Sequence, residues 1–267
     1  MSNFDLSPAS LWILEKYNQL ELTLQKHTED LELAHCVQAI YEFVWDFYAD
    51  WYVEYLKTDE SQIVFAKELY RQTIITISPY IPFESEAIWQ QFYRASTTLS
   101  LEVKDMNWST HLLLQYDTKS SNEFVVIKEF IQNIRSLRGL FAIDPGTFIK
   151  IYSVSEILIK YRKLIGLLSR AEFQDTPGNY DVEADEYSYS INILDYIKDL
   201  EGEAQRTLNT ITSLEKQLLG INSQLGNKVF MANADSSTIQ EKLEQHKSRN
   251  GELGQQQKKL KFLQQNT

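Results

Sequence analysis

The residues with the clearest potential for chemistry are lysines and arginines in the middle of the chain. Positions 128–170 contain eight basic residues against three acidic ones, although the full chain has a formal net charge of −11. A bound phosphate responds to local charge, because salt screens more distant charges beyond about 8 Å. The sequence therefore predicts a phosphate-binding surface, with a solvated helix face as the alternative explanation. Its candidate residues are Lys128, Arg135, Arg138, Lys150, Lys160, Arg162, Lys163 and Arg170.

Two other groups of residues offer possible metal ligands, but neither predicts a metal site. His27 and His35 lie eight positions apart near a helix junction, where one helix face can carry both. Their spacing provides no third ligand of a suitable type. Acidic residues recur at positions 42, 46, 50 and 54, a pattern typical of a solvated helix face. Cys36 is the only cysteine, which excludes an intrachain disulfide and a cysteine-based zinc site. We expect no metal and no cofactor.

Length and composition indicate a folded protein. The chain has 267 residues, 43% of them hydrophobic, which is enough to bury a substantial core. It contains no apolar run of the roughly 18 to 20 residues that span a bilayer, and its first residues lack a signal pattern. We therefore expect a cytoplasmic protein with no membrane partner.

Apolar periodicity predicts a helical bundle in the first half of the chain. Ser7 and Pro8 have the residue types of a helix start. Aromatic and aliphatic residues at 40, 43, 44, 47, 48, 51 and 55 predict a core helix over 39–57. Further helices are predicted over 61–78, from the segment 79–90 onward and over 124–140. The short connections predict antiparallel neighbours. Residues 148–152 alternate as a β-strand does, residues 156–173 predict a helix, and residues 174–179 contain the strongest boundary signal.

The last ninety residues carry a different pattern. Apolar residues from Leu200 to Leu225 recur at alternating steps of four and three, and a weaker heptad pattern extends from Ile239 to Leu260. Two such helices joined by about a dozen residues predict an antiparallel coiled-coil hairpin. The fold class is therefore mainly all-α, with a small α/β element. The predicted domains are a bundle over 1–122, a basic subdomain over 123–178 and the hairpin over 179–267.

Four stretches resemble valyl-tRNA synthetases. The run YEFVW at 41–45 followed by DWY at 50–52 is similar to the helix of that family's anticodon-binding domain. The stretch PYIPFESEAIW at 79–89 resembles a second family motif, and IRSLR through PG at 134–146 resembles a third. The run QLGNKVFMANA at 224–234 resembles the tip of the C-terminal arm found in valyl-tRNA synthetases. The resemblance covers most of the chain, from Leu6 to about Leu263.

The sequence also departs from the family. Ser136, Leu140 and Ala142 stand where Asn, Glu and Asn are usual, which removes groups able to form directional hydrogen bonds. The His-Ile-Gly-His and Lys-Met-Ser-Lys-Ser motifs of the family's catalytic domain do not occur. This chain by itself is therefore not expected to activate an amino acid, and ATP and Mg²⁺ are expected only with a catalytic domain.

The resemblance implies the tRNA-binding part of a valine–tRNA ligase. Its bundle would dock on the anticodon stem-loop, its arm would support the outer corner of valine tRNA, and a separate catalytic half is a possible partner. DNA is not an expected partner. A non-catalytic helical scaffold for proteins, derived from a synthetase, is the alternative that the net charge favours. In the arm, the candidate tRNA-binding residues are Lys228, Phe230, Lys242, Lys247 and Arg249.

Overall fold

The computed structural model describes residues 5–93, 121–184, 186–227, 230 and 233–266. The chain divides into two compact units, Met1–Phe130 and Ile131–Thr267. Among the described residues helices predominate, and they accompany one small sheet. This architecture confirms the expected mainly α-helical fold with a small α/β element. No helix in the described ranges is long and apolar enough to cross a membrane.

The first unit is built from helices. Helix α1 begins as predicted, because the Ser7 side chain caps it by accepting a hydrogen bond from the backbone N–H of Ser10. It packs against its successor α2, against a π-helix and against α4. The elements are α1 (Pro8–Glu29), α2 (Leu33–Tyr41), the π-helix (Glu42–Tyr52), α3 (Val53–Leu56), α4 (Ile63–Ile77), α5 (Pro82–Tyr93) and α6 (Ser121–Leu140), the last of which continues into the second unit.

The π-helix changes which aromatic side chains reach the core. A regular α-helix was predicted over 39–57, but the wider π turns shift the faces on which successive residues lie. Phe43, Trp51 and Tyr52 are buried, whereas Trp45 is exposed. The buried Tyr52 hydroxyl lies 2.7 Å from the Ser10 hydroxyl in α1. The π-helix is therefore fixed to α1 by packing and by a polar contact.

The second unit contains a four-stranded sheet in the order β2-β1-β4-β3. Strand β1 (Ile149–Tyr152) confirms the strand predicted over 148–152. It pairs in parallel with β2 (Ala171–Phe173) and antiparallel with β4 (Ser188–Ile191), which also pairs with β3 (Tyr180–Glu183). Parallel strands need a long crossover, and here it consists of α7 (Glu156–Lys160) and α8 (Arg162–Ser169).

Two predictions about this region differ from the structure. The helix predicted over 156–173 ends at Ser169, because Arg170 adopts the left-handed conformation and the following residues pair with β1. The segment 174–179, expected as a boundary between domains, connects two strands of one sheet. Its Gly178 donates a hydrogen bond to the Ser190 hydroxyl at 2.7 Å. A Cβ atom at this glycine would lie 2.3 Å from the carbonyl carbon of Ile191, so the segment is a tightly packed turn.

A helical hairpin completes the second unit. Helices α9 (Leu200–Leu225) and α10 (Ser236–Asn266) pack along each other. They are antiparallel, because Glu203 near the start of α9 contacts Lys259 near the end of α10. Leu214 and Leu218 are buried as the heptad pattern predicts, and of the two neighbours Thr207 and Leu208, either of which fits the pattern, Thr207 is the buried one. The polar seam of α10 leaves Lys259 and Leu263 as its buried residues in the described part.

Candidate nucleic-acid interface

Arg138, predicted to contact phosphate, points into the protein. It is 8% exposed, and its guanidinium donates hydrogen bonds to four backbone carbonyls. The acceptors are the carbonyls of Asp144 at 3.2 Å, Thr147 at 2.8 Å, and Ser169 and Arg170 at 2.9 Å. Burial lowers the pKa of this guanidinium from its ordinary value, although an arginine remains protonated. Arg138 therefore joins α6 to the loop before β1 and to the end of α8.

Arg135 and Arg170 lie on the outside of the same junction. Both are exposed. Arg135 donates a hydrogen bond to the carbonyl of Leu168 at 3.1 Å, and Arg170 donates to the carbonyl of Gly146 at 3.2 Å. Carbonyls at a helix C-terminus carry partial negative charge that attracts cations. The end of α8 thus gathers three arginines, of which Arg138 is buried and the other two face solvent.

A second group of cations lies where α7 ends and α8 begins. Lys160, Arg162 and Lys163 are exposed. The Lys160 ammonium lies 5.3 Å from the centre of the Tyr161 ring, a distance at which a cation–π contact stabilises its position. Because α8 has eight residues and rises 1.5 Å per residue, about 12 Å separate its two ends. Helix α8 therefore displays exposed positive charge at both ends.

Lys150 is exposed on β1, but an acidic neighbour weakens its field. In the parallel pair of β1 and β2, Lys150 is in register with Glu172. Both side chains are exposed, and adjacent strands lie close enough for opposite charges to attract. We expect Lys150 to contribute less to an anion site than the cations of α8.

Lys128 belongs to the first unit and lies within an aromatic cage. Its ammonium is 5.0 Å from the ring centre of Trp12 and 5.2 Å from those of Phe47 and Trp51. The side chain is half-buried. Burial, with a smaller effect from the charge of Lys16, lowers the pKa of Lys128. These cation–π contacts give Lys128 a role in packing α6 against the π-helix and α1.

Among the predicted arm residues that the structure describes, Lys242 and Arg249 line one surface groove together with residues of α9. Lys228 lies outside the described residues. Phe230 is half-buried, and its backbone N–H donates a hydrogen bond to the Asn227 side chain at 3.3 Å. On α10, Lys242 donates to the Gln245 side chain at 3.2 Å, and Lys247 is exposed. Arg249 forms an exposed ion pair with Glu252 at 2.9 Å.

Sequence reasoning did not identify one exposed aromatic pair. Tyr41 and Trp45 stack with ring centres 6.3 Å apart and an interplanar angle of 22°. Their exposed fractions are 55% and 58%. Their spacing of four residues was a signal of stacking on a helix. Exposed Glu42 and Asp46 directly follow Tyr41 and Trp45 in the sequence. This surface therefore combines aromatic rings with negative charge.

Residues 10–153 match the family described as the anticodon-binding domain of tRNA ligase. This match covers more than half of the chain, and the chain belongs to that family.

Its similar relatives are valine–tRNA ligases. The relative from Thermotoga maritima is 23% identical over 250 residues, which cover 89% of this chain and 28% of the relative. The relative from Francisella tularensis is 24% identical over 266 residues, covering 90% of this chain and 29% of that protein. The relative from Thermosynechococcus vestitus is 27% identical over 154 residues, or 54% of this chain and 17% of the relative. The resemblance expected from the motifs is confirmed. The chain spans less than a third of the length of these relatives.

Proposed function

We propose that this chain binds transfer RNA as the anticodon-binding part of a valine–tRNA ligase, with valine tRNA as the cognate partner. The observation that carries the proposal is the family match over residues 10–153, together with relatives named valine–tRNA ligase. Aminoacylation would belong to a catalytic domain, on the same or a separate chain, which uses ATP and Mg²⁺. The role of this chain is recognition and positioning of the tRNA.

The exposed cations around the two ends of α8 are the proposed contacts to the anticodon stem. Phosphate contacts supply much of the affinity in nucleic-acid binding and depend little on base sequence. Each one lost costs about fivefold in affinity near 0.15 M salt, by the counterion-release relation for duplex nucleic acid. The exposed cations at the two ends of α8 can reach phosphates about 12 Å apart. They are Arg135, Lys160, Arg162, Lys163 and Arg170. Arg138 supports this surface from within the second unit, whereas Lys128 packs against aromatic rings of the first unit.

The arm supplies the proposed contacts to the outer corner of the tRNA. Lys242, Lys247 and Arg249 lie on one helix, and Lys228 and Phe230 belong to the sequence that joins the two helices. The ion pair of Arg249 with Glu252 is exposed, and such pairs contribute little. Arg249 can therefore exchange its carboxylate for a phosphate at small cost.

Salt-dependent titration tests the proposal. The full chain is titrated with a valine tRNA transcript and with a non-cognate tRNA at several salt concentrations. We expect binding that weakens as salt rises and that favours the valine transcript. Absence of binding even at low salt would overturn tRNA binding by this chain. Equal binding of both transcripts would overturn only its valine preference.

A pair of charge variants tests the proposed surface. The double variant Arg162→Ala with Lys163→Ala removes two exposed cations at the start of α8. We expect the slope of log affinity against log salt to decrease in magnitude by about 1.5 to 2. The control, Lys26→Ala with Lys57→Ala, removes two exposed cations from the acidic first part of the chain. An equal loss in both variants would mean that net charge, rather than the α8 surface, determines binding.

A protein-binding scaffold is the second candidate function. The exposed Tyr41–Trp45 pair beside Glu42 and Asp46 favours it, because stacked aromatic rings are common in protein interfaces and acidic residues repel phosphate. In that case Tyr41→Ala with Trp45→Ala would abolish binding of a basic protein partner and leave tRNA titrations unchanged. Loss of tRNA affinity in this double variant would instead indicate stacking on an unpaired base.

A further inference from the structure

Two histidines and one glutamate converge where α1 ends and α2 begins. The Nδ1 atom of His27 lies 2.6 Å from Oε2 of Glu32, and the Nδ1 atom of His35 lies 3.5 Å from the same oxygen. One ligand atom from each of the three residues falls within 4.8 Å of the others. The two imidazole rings are nearly parallel, with centres 4.8 Å apart. The spacing of residues in the sequence predicted no third ligand near the two histidines. In the structure, the turn between α1 and α2 brings Glu32 next to both.

The backbone of the turn holds these three residues in place. Leu31 has a φ of 58°, and its N–H donates to the carbonyl of Thr28 at 3.1 Å. The N–H of Glu32 donates to the carbonyl of His27 at 2.7 Å, which completes a Schellman motif. The carbonyl of Glu32 then accepts the N–H of His35 at 3.0 Å. Hydrogen bonds therefore link the backbone of Glu32 directly to both histidines.

The donor set fits a transition-metal ion. Two imidazole nitrogens and one carboxylate oxygen form the ligand set of open zinc sites, in which water or another molecule occupies the fourth position. Metal–ligand bonds of 2.0 to 2.2 Å place tetrahedral ligand atoms about 3.3 to 3.6 Å apart. The separation of 3.5 Å between His35 and Glu32 meets this requirement. The pair at 2.6 Å would open by about 0.7 Å as a metal ion replaces the hydrogen bond.

The cluster is accessible to a metal ion. The side chains of His27, Glu32 and His35 are 19%, 48% and 66% exposed. His27 is the most enclosed of the three, and His35 faces solvent. This gradient leaves a side of the cluster open to solvent, where a fourth ligand can approach.

We propose that His27, Glu32 and His35 bind one Zn²⁺ ion, with a fourth coordination position open to water. Imidazole and carboxylate ligands suit Zn²⁺ better than Mg²⁺ or Ca²⁺, which prefer sites made of oxygen atoms. A bound ion would connect the end of α1 to the beginning of α2 across the turn. This site does not depend on tRNA binding.

Calorimetric titration of the tag-free, chelator-treated full chain with ZnCl₂ tests the site. We expect one ion per chain, with affinity reduced at least about tenfold by His35→Ala and by Glu32→Gln. His246→Ala, a change on helix α10 of the second unit, is the matched control and should leave the affinity unchanged. Because His35 and Glu32 are exposed, both test variants should fold, and far-UV circular dichroism verifies this.

A second measurement separates coordination from a simple ion pair. Tetrahedral Co²⁺ bound by nitrogen and oxygen ligands gives visible absorption that aqueous Co²⁺ lacks, and His35→Ala should abolish it. Zn²⁺ should also raise the melting temperature of the wild type but not of His35→Ala. No saturable Zn²⁺ binding, or binding that both test variants retain in full, would overturn the proposal. In that case the three residues form only a hydrogen-bonded pair with a stacked neighbour.

Discussion

Replacing Arg138 by alanine should lower the free energy of unfolding of the second unit. It should have little direct effect on tRNA binding, because the Arg138 side chain is buried. The substitution removes a buried guanidinium and leaves four backbone carbonyls without their donor. A hydrogen bond to a charged donor contributes about 1.5 to 3 kcal/mol. Four such bonds are not additive, and some carbonyls can bind water after the change. We therefore expect a loss of about 3 to 5 kcal/mol in the free energy of unfolding.

The assay must report on the second unit alone. The five tryptophans lie at positions 12, 45, 51, 89 and 108, so tryptophan fluorescence follows the first unit. Hydrogen exchange of the β1 and β2 amides follows the second. A loss of 3 to 5 kcal/mol corresponds to exchange faster by a factor of about 10² to 10³ or more, if these amides exchange through unfolding of that unit. We expect this acceleration in Arg138→Ala, with the fluorescence transition nearly unchanged.

Arg135→Ala is the matched control, since Arg135 is exposed and donates a hydrogen bond to the Leu168 carbonyl at the end of α8. Arg135→Ala should lower the free energy of unfolding by no more than about 0.5 kcal/mol. Arg138→Lys should fall between the two, because one ammonium cannot reproduce the planar fork of a guanidinium. A fully stable Arg138→Ala variant with weakened tRNA binding would refute this reasoning. It would indicate that Arg138 is one of the tRNA-binding residues.

Three further outcomes follow from other parts of the structure. Leu31→Gly should increase the free energy of unfolding by about 0.5 to 1 kcal/mol, because Leu31 has a left-handed φ of 58° that costs a non-glycine residue. Leu31→Ala should change it little, and urea unfolding followed by tryptophan fluorescence measures both. Lys259→Met should lower the free energy of unfolding by about 1.5 to 3 kcal/mol in urea unfolding followed by circular dichroism, because it removes the buried cation of the Glu203 carboxylate and leaves only the more exposed Arg206 paired with it. Adding Glu203→Leu should recover most of that loss, whereas no recovery would mean that Lys259 acts through its bond to the carbonyl of Leu140. Finally, the hairpin should lose stability in acid. Burial favours a higher pKa for Glu203, but hydrogen bonds and charges of Lys259 and Arg206 outweigh it and hold the pKa below its ordinary value of 4.5. The carboxylate therefore stabilises the fold above pH 4.5, and this stabilisation is lost as pH falls through the lower folded-state pKa. Melting temperatures measured from pH 6 to pH 3 should fall less steeply in Glu203→Gln.

The position of Ala142 shows how structure changes the meaning of a sequence departure. The resemblance implies Asn at this position, and its replacement by alanine was interpreted as loss of a hydrogen-bonding group. In the structure Ala142 has a φ of 51°, and the N–H of Ile143 donates to the carbonyl of Arg138 at 2.9 Å. This is a helix C-cap, where asparagine is favoured for its backbone conformation. The backbone thus provides a reason for asparagine here that involves no ligand.

The sequence by itself determined most of the helical segments, a strand within 148–152, the pairing of the last two helices and the family. These features depend on apolar periodicity, helix caps and short motifs, all of which involve residues close to one another in the sequence. Tertiary structure decided the rest. Arg138 faces inward because carbonyls 31 and 32 positions away surround it. Residues 171–173 form a strand because β1 offers a parallel edge. His27, Glu32 and His35 meet because a left-handed residue reverses the chain between two helices. In each case the deciding contact depends on the path that the folded backbone takes, and apolar periodicity does not predict that path.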